Sequence, residues 1–277
     1  MARWKRFCIA VLAVMLVLSL SACSGDWTYQ PITDVNNLGG RRIGVNMAWS
    51  ADYMLSGRDD VKVVRYNTVS DLVMALRFGQ IDAAAMERPY AVEVLSCISG
   101  LGMVNQAVAT DGLVFAVNKE RSELLEELNA FVTEFAGSDA QTELFTRLNS
   151  EEGFAYHKVE AKGGDKVLSV GLPTDAFPFS YVDFETGEYM GSDVEVVTRF
   201  ANEYGYRLEF TPGIFTTIEM GVTEGDFDLA IGSFCDAARM DAELVNAFVM
   251  TKPYMKHEIV LIEVVDRDNL KVLTPLD

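Results

Sequence analysis

The chain has 277 residues, and its 41 Asp and Glu against 23 Lys and Arg give a net charge of −18. An acidic excess of this size repels phosphate backbones, so nucleic acid is excluded as an expected partner, and we interpret the charge as a solvated surface. The two histidines and four cysteines have neither zinc-site spacing nor a disulfide framework. We therefore expect no metal, no cofactor, and buried free thiols at Cys97 and Cys235.

The first residues form a secretion signal, in which a basic start precedes an apolar stretch, residues 9–20, that is too short to remain as a membrane span. Residues 20–23 read LSAC and resemble the bacterial lipobox, whose cysteine is lipidated and becomes the new N-terminus. The resemblance implies a signal peptide over 1–22, a lipid anchor at Cys23, a tether over 23–37, and a body in the cell envelope that faces the periplasm or the exterior. The alternative is an ordinary secretory peptide with an incidental cysteine.

Short apolar strands and amphipathic helices alternate through the first part of the body. Ser70 and Gly79 mark the ends of one predicted helix, because serine is a favoured N-cap and glycine ends helices. A second helix is predicted over residues 122–135. The predicted strands are residues 42–47, 61–64, 81–86 and 112–117.

A polar, glycine-containing segment, residues 150–166, is a predicted linker, and a second alternation follows it. Residues 192–195 have the spacing of a capping box and open a helix that Gly205 ends, and a further helix is predicted over 217–224. Residues 185–188, read as ETGE, favour a hairpin turn. The predicted strands are residues 167–172, 207–210 and 227–231.

Two stretches, residues 72–85 and 218–231, read alike as a helix, a glycine and a buried strand. Such a repeated unit predicts two similar α/β lobes with mostly parallel sheets. Two-lobed α/β proteins commonly bind small molecules in the cleft between the lobes, so we expect the functional site there.

The same residues resemble a known family, the type II solute-binding proteins of ABC transporters, and in particular the amino-acid-binding bacterial extracellular solute-binding family 3. Residues 168–263 are similar to the first half of such a protein, and residues 38–150 to its second half. The motifs that carry the resemblance are Phe177 to Tyr181, Gly191 to Val194, Gly225 to Ala230 and Thr251 to Tyr254 in the first set, and Leu38 to Val45, Gly79 to Ala84 and Glu87 to Pro89 in the second.

The halves stand in reverse order, so the resemblance implies a two-lobed α/β fold of the periplasmic-binding-protein-like type II class with circularly permuted halves. A truncated tandem protein and a fused fragment are the alternatives. The implied domains are a lobe 2-like domain over 38–107, a hinge strand and helix over 108–149, the linker over 150–166, a lobe 1-like domain over 167–258, and a hinge return over 259–277.

The resemblance also implies ligand-binding residues. Arg239 occupies the place of the family's carboxylate-binding arginine, although the loop lengths around it differ; its alternative is a solvated loop residue. Ser233 falls where the family offers backbone groups and a hydroxyl, and Cys235 replaces that hydroxyl with a weaker donor. Glu87 matches the carboxylate, usually aspartate, that receives the ligand's ammonium, or else it faces solvent.

Four further positions belong to this implied site. Ser50 fits the family's hydroxyl residue after the first strand, whereas Trp49 replaces a small residue and would shrink the pocket or stack on an aromatic ligand. Phe215 lies where the family places a stacking aromatic. Phe179 is also a candidate, although an aromatic on a strand often belongs to the core.

We therefore expect a monomeric, membrane-anchored binding protein, not an enzyme, that captures a small polar solute, an amino acid in the first instance, by closure of its cleft. The expected partners are that small-molecule ligand, an ABC permease, and the membrane through the lipid anchor. The alternatives are a dehydratase-like enzyme on the same fold, with a carboxylate such as Glu87 as acid or base, and a ligand-sensing lipoprotein.

Overall fold

A computed structural model of the chain describes residues 30–150 and 152–273. The expected signal peptide, Cys23 and residues 24–29 of the tether lie outside the described residues. Within the described ranges, no helix combines the length and the apolar character that a membrane crossing requires.

Strands and helices alternate along most of the described chain. The strands are β1 (Arg41–Asn46), β2 (Val61–Tyr66), β3 (Ala83–Glu87), β4 (Leu101–Met103), β5 (Ala109–Leu113), β6 (Ala116–Val117), β7 (Lys166–Pro173), β8 (Asp175–Ala176), β9 (Ser180–Val182), β10 (Tyr189–Met190), β11 (Tyr206–Gly213), β12 (Leu229–Ala230), β13 (Val249–Met250) and β14 (Met255–Val264). The helices are α1 (Ser50–Ser56), α2 (Val69–Arg77), α3 (Arg88–Cys97), α4 (Ser122–Phe135), α5 (Asp139–Leu148), α6 (Ser192–Tyr204), α7 (Phe215–Glu224) and α8 (Leu244–Ala247), with a 3₁₀ helix over Asp236–Met240.

Two larger sheets have equivalent strand orders. The first runs β2-β1-β3-β14-β4, with β5 also paired to β14, and the second runs β11-β7-β12-β6-β13. In each, three parallel strands are followed by an antiparallel strand that comes from the other part of the chain, β14 in the first sheet and β6 in the second. We call the parts built on these sheets the first and the second lobe, and the predicted two-lobed α/β fold is confirmed.

The repeated units explain this equivalence. Helix α2, Gly79 and β3 occupy in the first sheet the place that α7, Gly225 and β12 occupy in the second. Both glycines have positive φ, +69° and +92°, which lets the chain reverse directly from the helix into the third parallel strand. The buried faces of the two lobes join in one hydrophobic cluster that contains residues of both sheets.

Several local predictions are wrong. Helix α2 is capped by Thr68, whose side chain accepts from the amide of Asp71, so Ser70 lies inside the helix. Helix α6 follows Gly191 and has no side-chain cap. Glu195, the last residue of the expected capping box, is instead fully buried and paired with two arginines. The predicted strand 112–117 is divided into β5 and β6, because the chain passes from one sheet to the other there.

Candidate functional site

Polar side chains from three neighbouring strands meet on one face of the first sheet. Glu87 is the last residue of β3 and lies opposite Ile259 of β14. His257, two residues before Ile259 on β14, lies opposite Asp111 of β5. Because side chains alternate along a strand, these residues share one face. Helix α1 begins on the same side, and its first residue places the Ser50 hydroxyl 3.1 Å from Nε2 of His257.

The second lobe contributes Cys235, which forms a β-bridge with Leu113 at the end of β5. We call Ser50, Glu87, Asp111, Cys235 and His257 the interlobe cluster. Its members are between 1% and 7% exposed, so the lobes as described close over it. A solute could reach the cluster only after the lobes separate.

The carboxyl group of Glu87 has a raised pKa and one oxygen without a hydrogen-bond partner. Burial raises the pKa of its carboxyl to about 7, the charge of Asp111 adds to the effect, and hydrogen bonding to Ser50 opposes it. Its Oε2 atom is buried and has no hydrogen-bond partner. A buried acceptor without a partner carries a desolvation cost that a donor from a ligand could remove.

The other titratable members have different roles. Asp111 accepts from the amide of Gly112 at 2.7 Å and from that of Ala237 at 3.1 Å, so it caps the 3₁₀ helix of the second lobe, and burial raises its pKa. Burial lowers the pKa of His257 to about 4, which keeps the imidazole neutral at neutral pH, and its Nδ1 atom lacks a partner.

The Cys235 thiol stays protonated at neutral pH, because burial and the charge of Asp111 raise its pKa to about 12. A nucleophilic cysteine requires a lowered pKa, so this environment disfavours covalent catalysis. Within residues 30–150 and 152–273, no group of three or more His, Cys, Asp and Glu side chains is arranged to hold a metal ion.

An aromatic series lies beside the interlobe cluster. The ring centroids of Trp49 and Tyr90 are 4.7 Å apart, those of Tyr90 and Phe179 are 6.0 Å apart, and those of Phe179 and His257 are 6.4 Å apart. Phe179 belongs to the second lobe and is fully buried, so this series joins the two lobes. It supplies apolar surface and ring faces directly next to two carboxyl groups.

Three of the residues predicted for the site have partners within the second lobe. Arg239 turns toward its own loop, where its guanidinium donates to Asp236 at 2.5 Å and to the carbonyl of Thr251 at 2.6 Å. The amide of Ser233 donates to the buried carboxylate of Asp193 at 3.0 Å. Phe215 packs in the second lobe against another phenylalanine, with a centroid distance of 4.9 Å.

The structure thus brings together Ser50, Glu87 and Cys235, with Trp49 and Phe179 beside them, whereas Arg239, the Ser233 amide and Phe215 have partners within the second lobe. Sequence reasoning missed Asp111, His257 and Tyr90 as neighbours of Glu87. Asp111 lies in the predicted hinge strand and helix, and His257 lies at the end of the predicted lobe 1-like domain, next to the hinge return. Pairing these segments as antiparallel strands places Asp111 opposite His257.

Residues 168–269 match the model of the bacterial extracellular solute-binding proteins, family 3. The L-cystine-binding protein TcyA of Bacillus subtilis (strain 168) is 29% identical over 106 residues, which are 38% of this chain and 37% of that protein. The chain therefore matches little more than a third of this relative. The matched family region contains strands β8 to β14 and nearly all of β7, which include four of the five strands of the second sheet; strands β1 to β6 lie outside it.

Solved structures show weaker similarity. The ligand-binding component of an ABC-type import system from Staphylococcus aureus, with zinc bound, has a TM-score of 0.42 and 12% identity, covering 81% of this chain and 66% of that chain. A periplasmic binding protein from Brucella ovis with glutathione bound has a TM-score of 0.39 and 14% identity, covering 82% and 62%. The ancestral amino-acid-binding protein AncCDT-1, a precursor of cyclohexadienyl dehydratase, has a TM-score of 0.38 and 12% identity, covering 81% and 82%. Scores below 0.5 do not establish a shared arrangement of the lobes.

Proposed function

Because residues 168–269 match the model of family 3 of the bacterial extracellular solute-binding proteins, we propose that the chain captures a small polar solute between its two lobes. An amino acid is the first expectation, since the relative from Bacillus subtilis is named as an L-cystine-binding protein. In this proposal Cys23 carries a lipid anchor, the body faces the periplasm or the exterior, and an ABC permease receives the solute.

The observation that carries the proposal is the buried carboxyl of Glu87 at the interlobe cluster. It lies at the end of a parallel strand, where ligands of α/β proteins commonly bind, and its Oε2 atom has no partner. A ligand donor would supply the missing hydrogen bond. The residue expected from sequence to receive an ammonium is therefore in a position to do so once the lobes open.

Opening requires a hinge, and β5 and β14 are suited to provide it. They pair from Met255 opposite Leu113 to Ile259 opposite Ala109, and the chain passes between the two sheets just beyond this paired region. A rotation about these crossings would expose the cluster while both sheets remain intact. The order of the lobes along the chain is, in the same proposal, a circular permutation of the family's order.

One observation favours a second function. A carboxyl group whose pKa lies near 7 is suited to general acid–base chemistry, which would fit the dehydratase-like alternative. The neutral imidazole and the protonated thiol beside it offer no second acid–base pair at neutral pH. Turnover of a bound acid, followed by chromatography of the mixture, would identify this function, whereas a transported or sensed solute would be recovered unchanged.

The test is a thermal-shift screen of the purified full-length chain in mild detergent against amino acids and organic acids. A ligand at about 100 times its Kd adds about 2.7 kcal/mol to the free energy of unfolding and raises the melting temperature by several degrees. We expect such a shift with at least one solute and its loss in Glu87→Gln. Glu188→Gln is the control, because this exposed carboxylate pairs with Lys158 away from the cluster. The absence of a shift with every solute would contradict the proposal.

The anchor is tested separately. Metabolic labelling with a fatty acid should mark the wild-type chain, and Cys23→Ser should release the unlabelled chain from the membrane fraction. Cys97→Ser provides the matched control, since this buried thiol lies in the first lobe. Equal labelling of the wild type and Cys23→Ser would contradict the anchor.

A further inference from the structure

The groups of the second lobe that could bind an anionic ligand already have partners within the protein. The guanidinium of Arg239 is held by the Asp236 carboxylate and by backbone carbonyl oxygens of Met250 and Thr251. These bonds occupy the Nε–Nη2 edge of the guanidinium, so a bidentate pair with a ligand carboxylate on that edge would require giving them up.

The backbone amides of this lobe are occupied in the same way. Asp193 is fully buried, and its Oδ2 atom accepts from the amides of Gly232, at 2.8 Å, and Ser233, at 3.0 Å. Asp111 accepts from the amide of Ala237 at the start of the 3₁₀ helix. Protein carboxylates therefore occupy the amides of Gly232, Ser233 and Ala237, which a ligand carboxylate could otherwise accept from.

The first lobe, in contrast, contributes buried acidic groups to the interlobe cluster. It contributes two buried carboxyl groups, Glu87 and Asp111, and no salt bridge in the described part of the chain reaches either of them. One Glu87 oxygen and the Nδ1 atom of His257 lack partners although both residues are at least 97% buried. The potential of such a site favours a cation and opposes an anion.

The aromatic series adds a second attraction for the same kind of ligand. The faces of aromatic rings attract ammonium groups, and Trp gives the strongest effect. Trp49 is half-buried, and its ring is tilted by 46° against that of Tyr90 at a centroid distance of 4.7 Å, so it offers a partly exposed ring beside the aromatic series.

We propose, resting on the solute-binding function above, that the ligand is an organic ammonium compound recognised without a carboxylate clamp. Its ammonium group donates to Oε2 of Glu87, its hydrocarbon part lies against Trp49, Tyr90 and Phe179, and no group of the second lobe is reserved for a carboxylate. The site thus selects amines over amino acids of the same carbon skeleton.

Matched series of compounds test this selection by calorimetric titration of the full-length chain. One series is cystine, its decarboxylated form cystamine, and its deaminated form 3,3′-dithiodipropionate; another is phenylalanine, phenethylamine and 3-phenylpropanoate. In at least one series we expect the amine to bind as tightly as the amino acid or more tightly, and the carboxylate not to bind. Glu87→Gln should weaken the amine by roughly 10- to 150-fold, the usual loss for a hydrogen bond to a charged group.

Arg239→Ala separates failure of this inference from failure of the proposed function. We expect it to leave the affinity for the amine within about twofold of the wild type, because Arg239 bonds to Asp236, Met250 and Thr251 and not to Glu87. An amino acid that binds more than tenfold more tightly than its amine, with the advantage lost in Arg239→Ala, would refute the inference and leave the solute-binding function intact. If no amine, amino acid or carboxylate binds, both are refuted.

Discussion

Replacing Glu87 by glutamine should make the protein more stable at high pH. The carboxyl has a pKa of about 7 in the folded protein, against an ordinary value of 4.5, so folding disfavours its ionised form. The resulting loss of folding free energy is absent below about pH 4.5 and grows as the carboxyl ionises in the unfolded chain. It is complete above pH 7, where it amounts to about 3 kcal/mol. Glu87→Gln removes the cost, and its advantage should therefore rise from about 1 kcal/mol at pH 5.5 to about 3 kcal/mol at pH 8.

Urea unfolding followed by tryptophan fluorescence at these two pH values measures the change. The matched control is Glu195→Gln, which applies the same substitution to an equally buried carboxylate that pairs with Arg147 and Arg199. This variant should lose roughly 3 kcal/mol, because two guanidinium groups are left without their partner. An advantage of Glu87→Gln that does not change with pH, or a loss at pH 8, would refute the electrostatic account of the interlobe cluster.

Three further results are expected. The affinity for an amine should fall by up to tenfold per pH unit as the pH decreases below about 7. Protonation removes the negative charge of Glu87, while the thiol and imidazole of the cluster stay neutral. Calorimetry at pH 5.5 and pH 8 measures this change in affinity. Tyr254→Phe should cost about 2 kcal/mol in urea unfolding, since its hydroxyl donates to the buried Asp193 carboxylate at 2.5 Å. Gly191→Ala should lower the melting temperature by about 6–12 °C, because φ is +125° and a Cβ atom would lie 2.2 Å from the carbonyl oxygen of Phe179.

The sequence allowed the two-lobed fold to be predicted because the required signals are local. Apolar periodicity and the glycines at 79 and 225 define each helix and the strand that follows it, independently of the rest of the chain. Caps were predicted less well: Thr68, Ser70 and Ser192 are all suitable N-cap residues, and the choice among them depends on tertiary contacts. At α6, the buried pairing of Glu195 with two arginines determines the helix start.

The candidate site was only partly predictable for a related reason. Glu87 and Ser50 follow strands directly, so their place at the sheet edge could be inferred from sequence. Asp111 and His257 come together only through antiparallel pairing of segments far apart in the chain, which no local pattern specifies. The orientation of Arg239 depends on acceptors in its own loop, and these could not be identified before the loop was folded.

Glu87 differs from two other deeply buried carboxylates, Asp193 and Glu195, in how its oxygens are satisfied. Asp193 accepts from two amides and a tyrosine hydroxyl, and Glu195 pairs with two arginines, so each is satisfied within the protein. Glu87 is equally buried but keeps an oxygen without a partner, at a cost that is large against a typical stability of about 5–15 kcal/mol. An uncharged side chain would pack there without that cost. In the proposed function, a positively charged ligand pairs with Glu87 and supplies the hydrogen bond that the closed lobes leave unmade.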